Sequence, residues 1–403
     1  MSRTPVAIVI GTRPEVIKMA PIVQALNDSA TLAPWVISTG QHREMLDQSL
    51  AVFGIASDVD LGVMAAKQNL SELTARTLVG MRVELERVRP SCVVVQGDTT
   101  TALAAALAAF YARIPVAHVE AGLRSGQRWS PYPEEINRRV IDQIADLLFA
   151  PTRGAAARLV DEGFGTDRVQ VTGNTVVDAL LAIRDRLRVH PVAIPGLDTA
   201  LERSAPGGGD PDGFAGGAGG SAPRGIDGKR LILVTAHRRE SFGEPLIGMC
   251  QALRELAHDH PDVVIVYPVH LNPNVSVPVR SLLADQDRIV LLPPLDYLQF
   301  VSLLARAYLV LTDSGGVQEE APTFGKPVLV LREVTERPEG IAAGVARLVG
   351  TVAQDIVREA TRLLRDPAAY RAMAAAVNPY GDGTAGRQIV QHLEQWVGIP
   401  KVA

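Results

Sequence analysis

The sequence predicts an α/β protein made of two doubly wound domains with an interdomain cleft, and three observations support this fold class. Short β-branched runs alternate with amphipathic helical patterns through most of the chain, as in parallel sheets that helices cover on both faces. The alternation occurs in two sets. The length of 403 residues also favours two domains over one.

The first set begins close to the amino terminus. Its predicted strands are Val6–Ile10, Trp35–Ser38, Cys92–Gln96, Pro115–Val119, Leu147–Ala150 and Val169–Thr172. A helix is predicted over Glu15–Leu26, because Pro14 follows a glycine turn in the position that favours a helix start. A second, alanine-rich helix is predicted over Thr101–Tyr111.

The second set repeats the pattern, with predicted strands at Leu231–Thr235, Val263–Tyr267, Ile289–Leu292, Leu309–Thr312 and Val328–Leu331. A helix over Val176–Val189 precedes this set, and a helix from Gly383 to Val397 follows it. We expect residues 1–174 to form the amino-terminal domain together with the carboxy-terminal helix, 383–403. Residues 175–382 are expected to form the other domain.

A glycine-rich stretch at residues 205–228 interrupts the second domain. It contains Gly207-Gly208-Gly209 and cannot bury apolar surface, so a flexible segment is expected. An interdomain linker is one interpretation. We favour an inserted surface loop, because Gly173-Asn174 is better placed to act as a hinge.

Composition and charge exclude several functional classes. A net charge of -4 gives no general field for nucleic acid. No apolar run approaches the length that crosses a membrane, and the short amino terminus passes directly into a strand rather than a signal peptide. Cys92 and Cys250 lie in a strand-like and a helix-like run, which predicts buried free thiols and a cytoplasmic protein.

Three carboxylates lie on loops that follow predicted strands, namely Asp98, Glu120 and Glu134. The carboxyl ends of parallel strands face the crevice where open sheets bind ligands, so these side chains predict proton transfer on a bound substrate.

Each of these carboxylates also has a purely structural interpretation. Asp98 can cap the helix that begins near Thr99, and Glu120 can pair with Arg124. Glu134 or Glu135 can pair with the arginines at 138 and 139. We expect that such roles do not account for all three carboxylates together.

Cations and glycines at other strand ends predict an anion site. Arg13 and Lys18 follow the first strand, and His237 begins a His-Arg-Arg cluster that suits a diphosphate. The backbone amides of Ser314, Gly315 and Gly316 can hold a phosphate, with Glu320 placed for ribose hydroxyls. Solvated cations and an ordinary capped helix are the structural alternatives.

Several other sites are not indicated. No dinucleotide fingerprint, nucleophile elbow or metal-ligand spacing of His and Cys occurs, so no metal and no nicotinamide cofactor are expected. His258-Asp259-His260 is interpreted as an exposed helix end.

A set of motifs carries a specific resemblance over nearly the whole chain. The motifs are Gly11–Pro21, Gln41–Gln48, Gly97–Thr101, His118–Arg124, Ser130–Glu135, His237–Ser241, Tyr267–Pro273, Asp313–Pro322 and Thr335–Pro338. With them the chain resembles the bacterial non-hydrolysing UDP-N-acetylglucosamine (UDP-GlcNAc) 2-epimerases. The resemblance implies two Rossmann-like domains of GT-B type, a homodimer and no organic cofactor. It also implies cytoplasmic UDP-GlcNAc and UDP-N-acetylmannosamine (UDP-ManNAc) as partners, for surface polysaccharide synthesis. The glycine-rich stretch is longer than this family leads us to expect.

The resemblance also implies roles for individual residues. Asp98, Glu120 and Glu134 are the acid/base candidates, with His237 at the catalytic site. The residues implied to bind UDP or lie at the same site are Arg13, Lys18, Phe300, Ser314, Gly315, Gly316, Glu320 and Arg337. The family is activated by a second UDP-GlcNAc, and the residues that resemble that regulatory site are Gln41, His42, Gln68 and His270.

Three other functions stay open at this point. A hydrolysing 2-epimerase would release ManNAc and UDP from nearly the same site. A GT-B glycosyltransferase would transfer the sugar to an acceptor. A nucleotide-sugar sensor without enzymatic activity would not need three carboxylates.

Overall fold

The structure, a computed structural model, describes residues 3–40, 43–65, 68–197 and 228–398. The chain folds into two compact units. Unit 1 comprises Met1–Ala179 and Tyr380–Ala403, and unit 2 comprises Leu180–Pro379. The glycine-rich stretch predicted as an insertion lies outside the described residues, apart from its last residue, Gly228.

Unit 1 contains a parallel sheet in the order β3-β2-β1-β4-β5-β6-β7. Its strands are β1 Thr4–Ile10, β2 Leu32–Ser38, β3 Val59–Asp60, β4 Cys92–Gln96, β5 Val116–Val119, β6 Leu147–Ala150 and β7 Val169–Val171. The first helices of the chain are α1 Arg13–Asp28, α2 Arg43–Val52, α3 Leu70–Val88, α4 Thr100–Tyr111, α5 Glu134–Ile144, α6 Arg153–Asp161 and α7 Thr175–Val189.

Unit 2 contains a second parallel sheet, in the order β10-β9-β8-β11-β12-β13. Its strands are β8 Arg230–Thr235, β9 Val263–Pro268, β10 Ile289–Leu292, β11 Leu309–Thr312, β12 Val328–Val330 and β13 Ala346–Leu348. The remaining helices are α8 Glu244–Asp259, α9 Pro273–Leu283, α10 Tyr297–Arg306, α11 Gly315–Glu320, α12 Pro338–Ala342, α13 Ala353–Arg365, α14 Pro367–Ala374 and α15 Ala385–Val397. Short 3₁₀ helices span Arg239–Ser241 and Ala321–Phe324.

The predicted fold class of two doubly wound, Rossmann-like domains is confirmed, and both sheets have the strand order of dinucleotide-binding folds. The sequence did not predict the edge strands β3 and β13. They contain two and three residues, too few to show a period, and each has charged or exposed positions. Helix α1 begins two residues before the predicted start, because Thr12 and Glu15 form a capping box there.

Each sheet has a hydrophobic cluster on both faces. In β1, Val6 and Ile8 belong to one cluster, whereas Ala7 and Val9 belong to the opposite one. This alternation follows from the two-residue period of a strand. The carboxy-terminal helix α15 packs with Ile389 and Leu393 into the first of these clusters, so the end of the chain completes unit 1.

Both cysteines are free and buried, as predicted. Burial raises the pKa of the Cys250 thiol to about 12, so it is not a reactive thiolate near neutral pH. Of the helices in the described ranges, none combines the length and the apolar character needed to cross a bilayer.

The strand order positions the candidate site residues. In unit 1 the order reverses between β1 and β4, and in unit 2 between β8 and β11. Crevices at such reversals, outside the carboxyl ends of the strands, are where open α/β sheets bind ligands. The segments that follow these four strands carry half of the predicted site residues, namely Arg13, Lys18, Asp98, His237, Ser314, Gly315, Gly316 and Glu320.

Candidate active site

The turn after β4 presents Asp98. Its carboxylate forms an ion pair of 2.6 Å with Arg138 Nη2, and Asn137 Nδ2 donates to the Asp98 carbonyl at 2.9 Å. Thr99 rather than Asp98 caps α4, because its hydroxyl accepts from the Ala102 amide. The capping interpretation of Asp98 is therefore wrong, and helix α5 holds this turn in place.

Glu120 lies directly after β5 and is buried. Its Oε1 lies 2.5 Å from Lys18 Nζ, and its Oε2 accepts from Gln96 Nε2. The alternative pairing with Arg124 is wrong, since Arg124 pairs with Asp142 and Glu162 instead. Two predicted site residues, Lys18 and Glu120, thus come together across 102 positions of sequence.

The Glu120 backbone is also unusual. Its φ of 70° falls in the left-handed region, which non-glycine residues rarely adopt at a cost of roughly 1–3 kcal/mol. Hydrogen bonds from the Glu120 and Ala121 amides to the Phe149 carbonyl hold this conformation. Such strain persists where the surrounding structure imposes it, and it is concentrated at functional sites.

Glu134 and Glu135 begin α5 but have different surroundings. Glu135 is buried and accepts from the Ser125 amide at 2.9 Å and from Arg139 at 3.1 Å. Burial alone would raise its pKa, but these hydrogen bonds and the charge of Arg138 hold the pKa below the usual value. Glu134 has a buried oxygen, Oε2, with no hydrogen-bond partner. Of the two glutamates, Glu134 therefore keeps a carboxylate oxygen available to accept a hydrogen bond from a bound ligand.

The turn after β1 is organised by Glu15, whose role the sequence did not reveal. Glu15 Oε2 accepts from the amides of Gly11 and Thr12 at 2.8 and 2.6 Å. Its Oε1 accepts from the Thr99 hydroxyl at 2.7 Å, so one side chain ties the turn after β1 to the turn after β4. Burial raises the Glu15 pKa, and these hydrogen bonds offset that only in part. The half-buried Arg13 begins the helix that follows.

In unit 2, Asp313 organises the turn after β8. It is fully buried, and its Oδ2 accepts from the amides of His237 and Arg238, both at 2.8 Å. Its Oδ1 lies 3.8 Å from His237 Nδ1. Burial lowers the pKa of His237, Asp313 opposes this, and the charges of His270 and Arg238 lower the pKa further. The imidazole is therefore favoured in its neutral form near neutral pH.

Two arginines and one carboxylate lie next to the glycine turn after β11. A Cβ placed on Gly315 would lie 3.5 Å from Arg238 Nη2, 3.7 Å from Glu336 Oε2 and 3.9 Å from Arg337 Cζ. Arg337 is itself held by buried Glu319. The Ser314 amide donates to Thr312 Oγ1 at 2.9 Å, so of the three amides predicted for a phosphate this one is already engaged.

Two further residues predicted for this unit have less distinctive surroundings. Phe300 is half-buried and packs against the hydrophobic cluster of its own unit. Glu320 ends α11 and is also half-buried, beside the buried Glu319. No group of three or more His, Cys, Asp or Glu side chains arranged to hold a metal occurs in the parts of the chain that the structure describes.

The chain has close relatives among known proteins. The family model described as UDP-N-acetylglucosamine 2-epimerase matches residues 24–205 and 215–394. A probable UDP-N-acetylglucosamine 2-epimerase from Ralstonia solanacearum is 51% identical over 391 residues, which cover 97% of this chain and 99% of that protein. The UDP-N-acetylglucosamine 2-epimerase of Salmonella typhimurium is 49% identical, covering 96% of this chain and 98% of the relative.

This chain belongs to the UDP-N-acetylglucosamine 2-epimerase family. The crystal structure of the Neisseria meningitidis UDP-GlcNAc 2-epimerase bound to UDP-GlcNAc has a TM-score of 0.82 at 43% identity, over 97% of this chain and 100% of that one. A glycosyltransferase from Rickettsia africae ESF-5 has a TM-score of 0.61 at 13% identity, over 98% and 99%, which shows a shared fold alone.

Of the four regulatory residues predicted for this epimerase-family chain, two lie within the described residues. Gln41 and His42 lie outside the described residues. The Gln68 side chain accepts from the Ala65 amide and donates to the Val63 carbonyl, so it closes a local turn. His270 is exposed and stacks on His237, with ring centroids 5.5 Å apart.

For some other residues, the sequence did not predict the structural role or predicted the wrong environment. Glu15 could have been found, since Thr12 and Glu15 have capping-box spacing. Asp313 and Glu319 lie within the Asp313–Pro322 motif, but the sequence predicted no role for either residue. The interpretation of His260 as exposed is wrong, because it is buried and hydrogen-bonded to Thr361 Oγ1 at 3.1 Å. Helix α8 ends at Asp259, one residue earlier.

Proposed function

We propose that the protein interconverts UDP-GlcNAc and UDP-ManNAc without releasing free sugar, by elimination and re-addition of UDP. The observation that carries the proposal is the carboxylate set of unit 1. Glu120 is paired with Lys18, Asp98 with Arg138, and Glu134 keeps an unpartnered buried oxygen. Carboxylates whose surroundings differ this much suit different proton-transfer roles in one reaction.

The chemistry explains why more than one proton-transfer group is needed. The C2 proton of the sugar is not adjacent to a carbonyl, so direct deprotonation would be very unfavourable. In the elimination, a base takes the C2 proton while the C1–O bond to UDP breaks, which leaves a C1=C2 double bond in 2-acetamidoglucal. UDP then adds back at C1 as a proton reaches the opposite face of C2. The carboxylates supply acid and base for these steps.

UDP must be retained while it is not bonded to the sugar. We assign this task to Arg13, with Lys18 nearby on the same helix, and in unit 2 to His237, Arg337 and the glycines at 315 and 316. Ser314, Glu320 and Phe300 are further candidates for nucleotide contacts. Arg238 joins this group, because its guanidinium lies against Gly315. Fixed cations and amides stabilise a developing diphosphate charge without reorganising.

The experiment that tests the proposal is product analysis in D2O with UDP-GlcNAc as sole substrate. We expect UDP-ManNAc to form without added cofactor, with deuterium at C2 of both sugars. Turnover without label at C2 would contradict the elimination. Free ManNAc as the main product would select the hydrolysing alternative, and no conversion unless an acceptor is added would select a glycosyltransferase.

We also propose that the protein is a homodimer. Helices α3 and α4 are neighbours that expose large apolar side chains, among them Val79, Val83, Phe110 and Tyr111. A cluster of exposed apolar side chains often marks a site where another protein binds. A two-fold symmetric contact through one such patch would cover both copies.

A further inference from the structure

His118 is a buried histidine to which the proposed reaction assigns no step. It lies on β5 with a side chain that is 0% exposed. Its Nε2 lies 2.8 Å from the Gly97 carbonyl oxygen, and its Nδ1 lies 2.6 Å from Asp142 Oδ1. Both ring nitrogens therefore face acceptors.

These contacts reach all three segments that carry the candidate carboxylates. Gly97 immediately precedes Asp98, and Glu120 follows His118 by two residues on the same chain segment. Asp142 lies on α5, the helix whose first residue is Glu134. His118 is thus the side chain that connects the turn after β4, the end of β5 and helix α5.

Arg124 extends the cluster outward. Its Nη1 lies 2.7 Å from Asp142 Oδ2, and its other nitrogens hold Glu162 in a bidentate pair at 2.8 and 2.6 Å. Burial alone would raise the pKa of Asp142, but the charges and hydrogen bonds of His118 and then Arg124 hold it below the usual value. Asp142 Oδ1 is the acceptor that faces Nδ1, and the Gly97 carbonyl oxygen is the acceptor that faces Nε2 on the other side of the ring.

We infer that His118 is a positioning residue that sets the relative placement of Asp98, Glu120 and Glu134 through its two opposed hydrogen bonds. The inference rests on the proposed epimerase reaction. A histidine that merely fills the core would stabilise the fold without affecting which face of C2 receives the proton. A positioning histidine affects that choice, because proton delivery depends on carboxylate placement within fractions of an ångström.

The test uses His118→Gln and measures a ratio of two rates in D2O. One rate is deuterium appearance at C2 of recovered UDP-GlcNAc, and the other is UDP-ManNAc formation. A glutamine side chain has a donor at one end and an acceptor at the other, so it cannot donate to Gly97 and Asp142 together. The ratio does not depend on the fraction of folded enzyme, because misfolding lowers both rates equally.

We expect kcat to fall about 10-fold or more, and the ratio to shift by about threefold or more. If His118→Gln does not fold, as judged by circular dichroism, Asp142→Asn decides in the same assay. Asp142→Asn removes the carboxylate charge that faces His118 Nδ1 and keeps the shape of the side chain. His260→Gln is the matched control, since His260 is a buried, hydrogen-bonded histidine of unit 2, and its ratio should equal that of the wild type.

An unchanged ratio in a folded His118→Gln or Asp142→Asn enzyme would overturn the inference, even if kcat falls. That result is distinct from failure of the proposed function. In that case, the wild-type protein itself would form no UDP-ManNAc or would incorporate no deuterium at C2.

Discussion

At the residue scale, the main finding is that the three predicted carboxylates are held in three different ways. Lys18 compensates the charge of Glu120, and Arg138 that of Asp98. Glu134 has a buried oxygen without a partner, which is costly unless a ligand satisfies it. We expect the substrate to supply that partner.

This arrangement predicts the effect of removing each acid or base. Asp98→Asn, Glu120→Gln and Glu134→Gln should each lower kcat by about 10²–10⁴-fold, because each substitution keeps the shape and removes the ability to exchange a proton. UDP affinity, measured by calorimetry, should stay close to that of the wild type.

Glu86→Gln is the matched control for these variants. Glu86 lies on α3, is exposed and pairs with Arg82 one turn away, so the kcat of this variant should be unchanged. If one of the three carboxylate variants retained wild-type kcat, that residue would lose its acid/base assignment.

At the element scale, the turns after β1 and β4 are packed against each other by small residues. A Cβ on Gly11 would lie 2.6 Å from both Thr101 Oγ1 and Thr39 Oγ1, which is closer than atoms can approach. Thr99 caps α4 and at the same time donates to Glu15 in the opposing turn. The reversal point of the sheet is therefore a packed structure rather than two independent loops.

Gly11→Ala should consequently destabilise the protein by about 1–3 kcal/mol, the usual cost of overpacking. The measurement is urea unfolding at fixed pH, followed by circular dichroism. Gly316→Ala is the control, because its added Cβ would meet nothing closer than Ser314 Oγ at 3.9 Å. Equal stability of the two variants would contradict the packing argument.

At the scale of the whole molecule, the apolar surface of α3 and α4 bears on the proposed homodimer. Val83→Arg would place a charge in the patch, and burying an unpaired charge in an interface is strongly unfavourable. We expect light scattering after size exclusion to give about twice the 43.0 kDa chain mass for the wild type and 43.0 kDa for the variant.

Val277→Arg is the control for this experiment, since Val277 is a similarly exposed valine on α9 of unit 2. Its mass should match that of the wild type. A wild-type mass of one chain would refute the dimer, and a dimeric Val83→Arg protein would place the interface elsewhere.

Much of this protein could be predicted from local sequence patterns. The buried strands from Val6 to Ile10 and from Leu231 to Thr235 are nearly continuous apolar runs between glycine or polar turns, so their position is a local property. The strand-end motifs were likewise sufficient to identify the family and to name Asp98, Glu120 and Glu134. Residues that end strands of a parallel sheet share one edge whatever the details of packing.

Only the tertiary structure decided which side chains meet. Lys18 and Glu120 are 102 residues apart, and His118 and Asp142 lie on different elements, so no periodicity could pair them. The same holds for Asp313, which the sequence identified only as part of a motif. In the structure its carboxylate accepts a hydrogen bond from the amide of Arg238, 75 positions earlier. Sequence patterns report the burial of each element, whereas hydrogen-bond partners depend on strand order and on how helices cross the sheet.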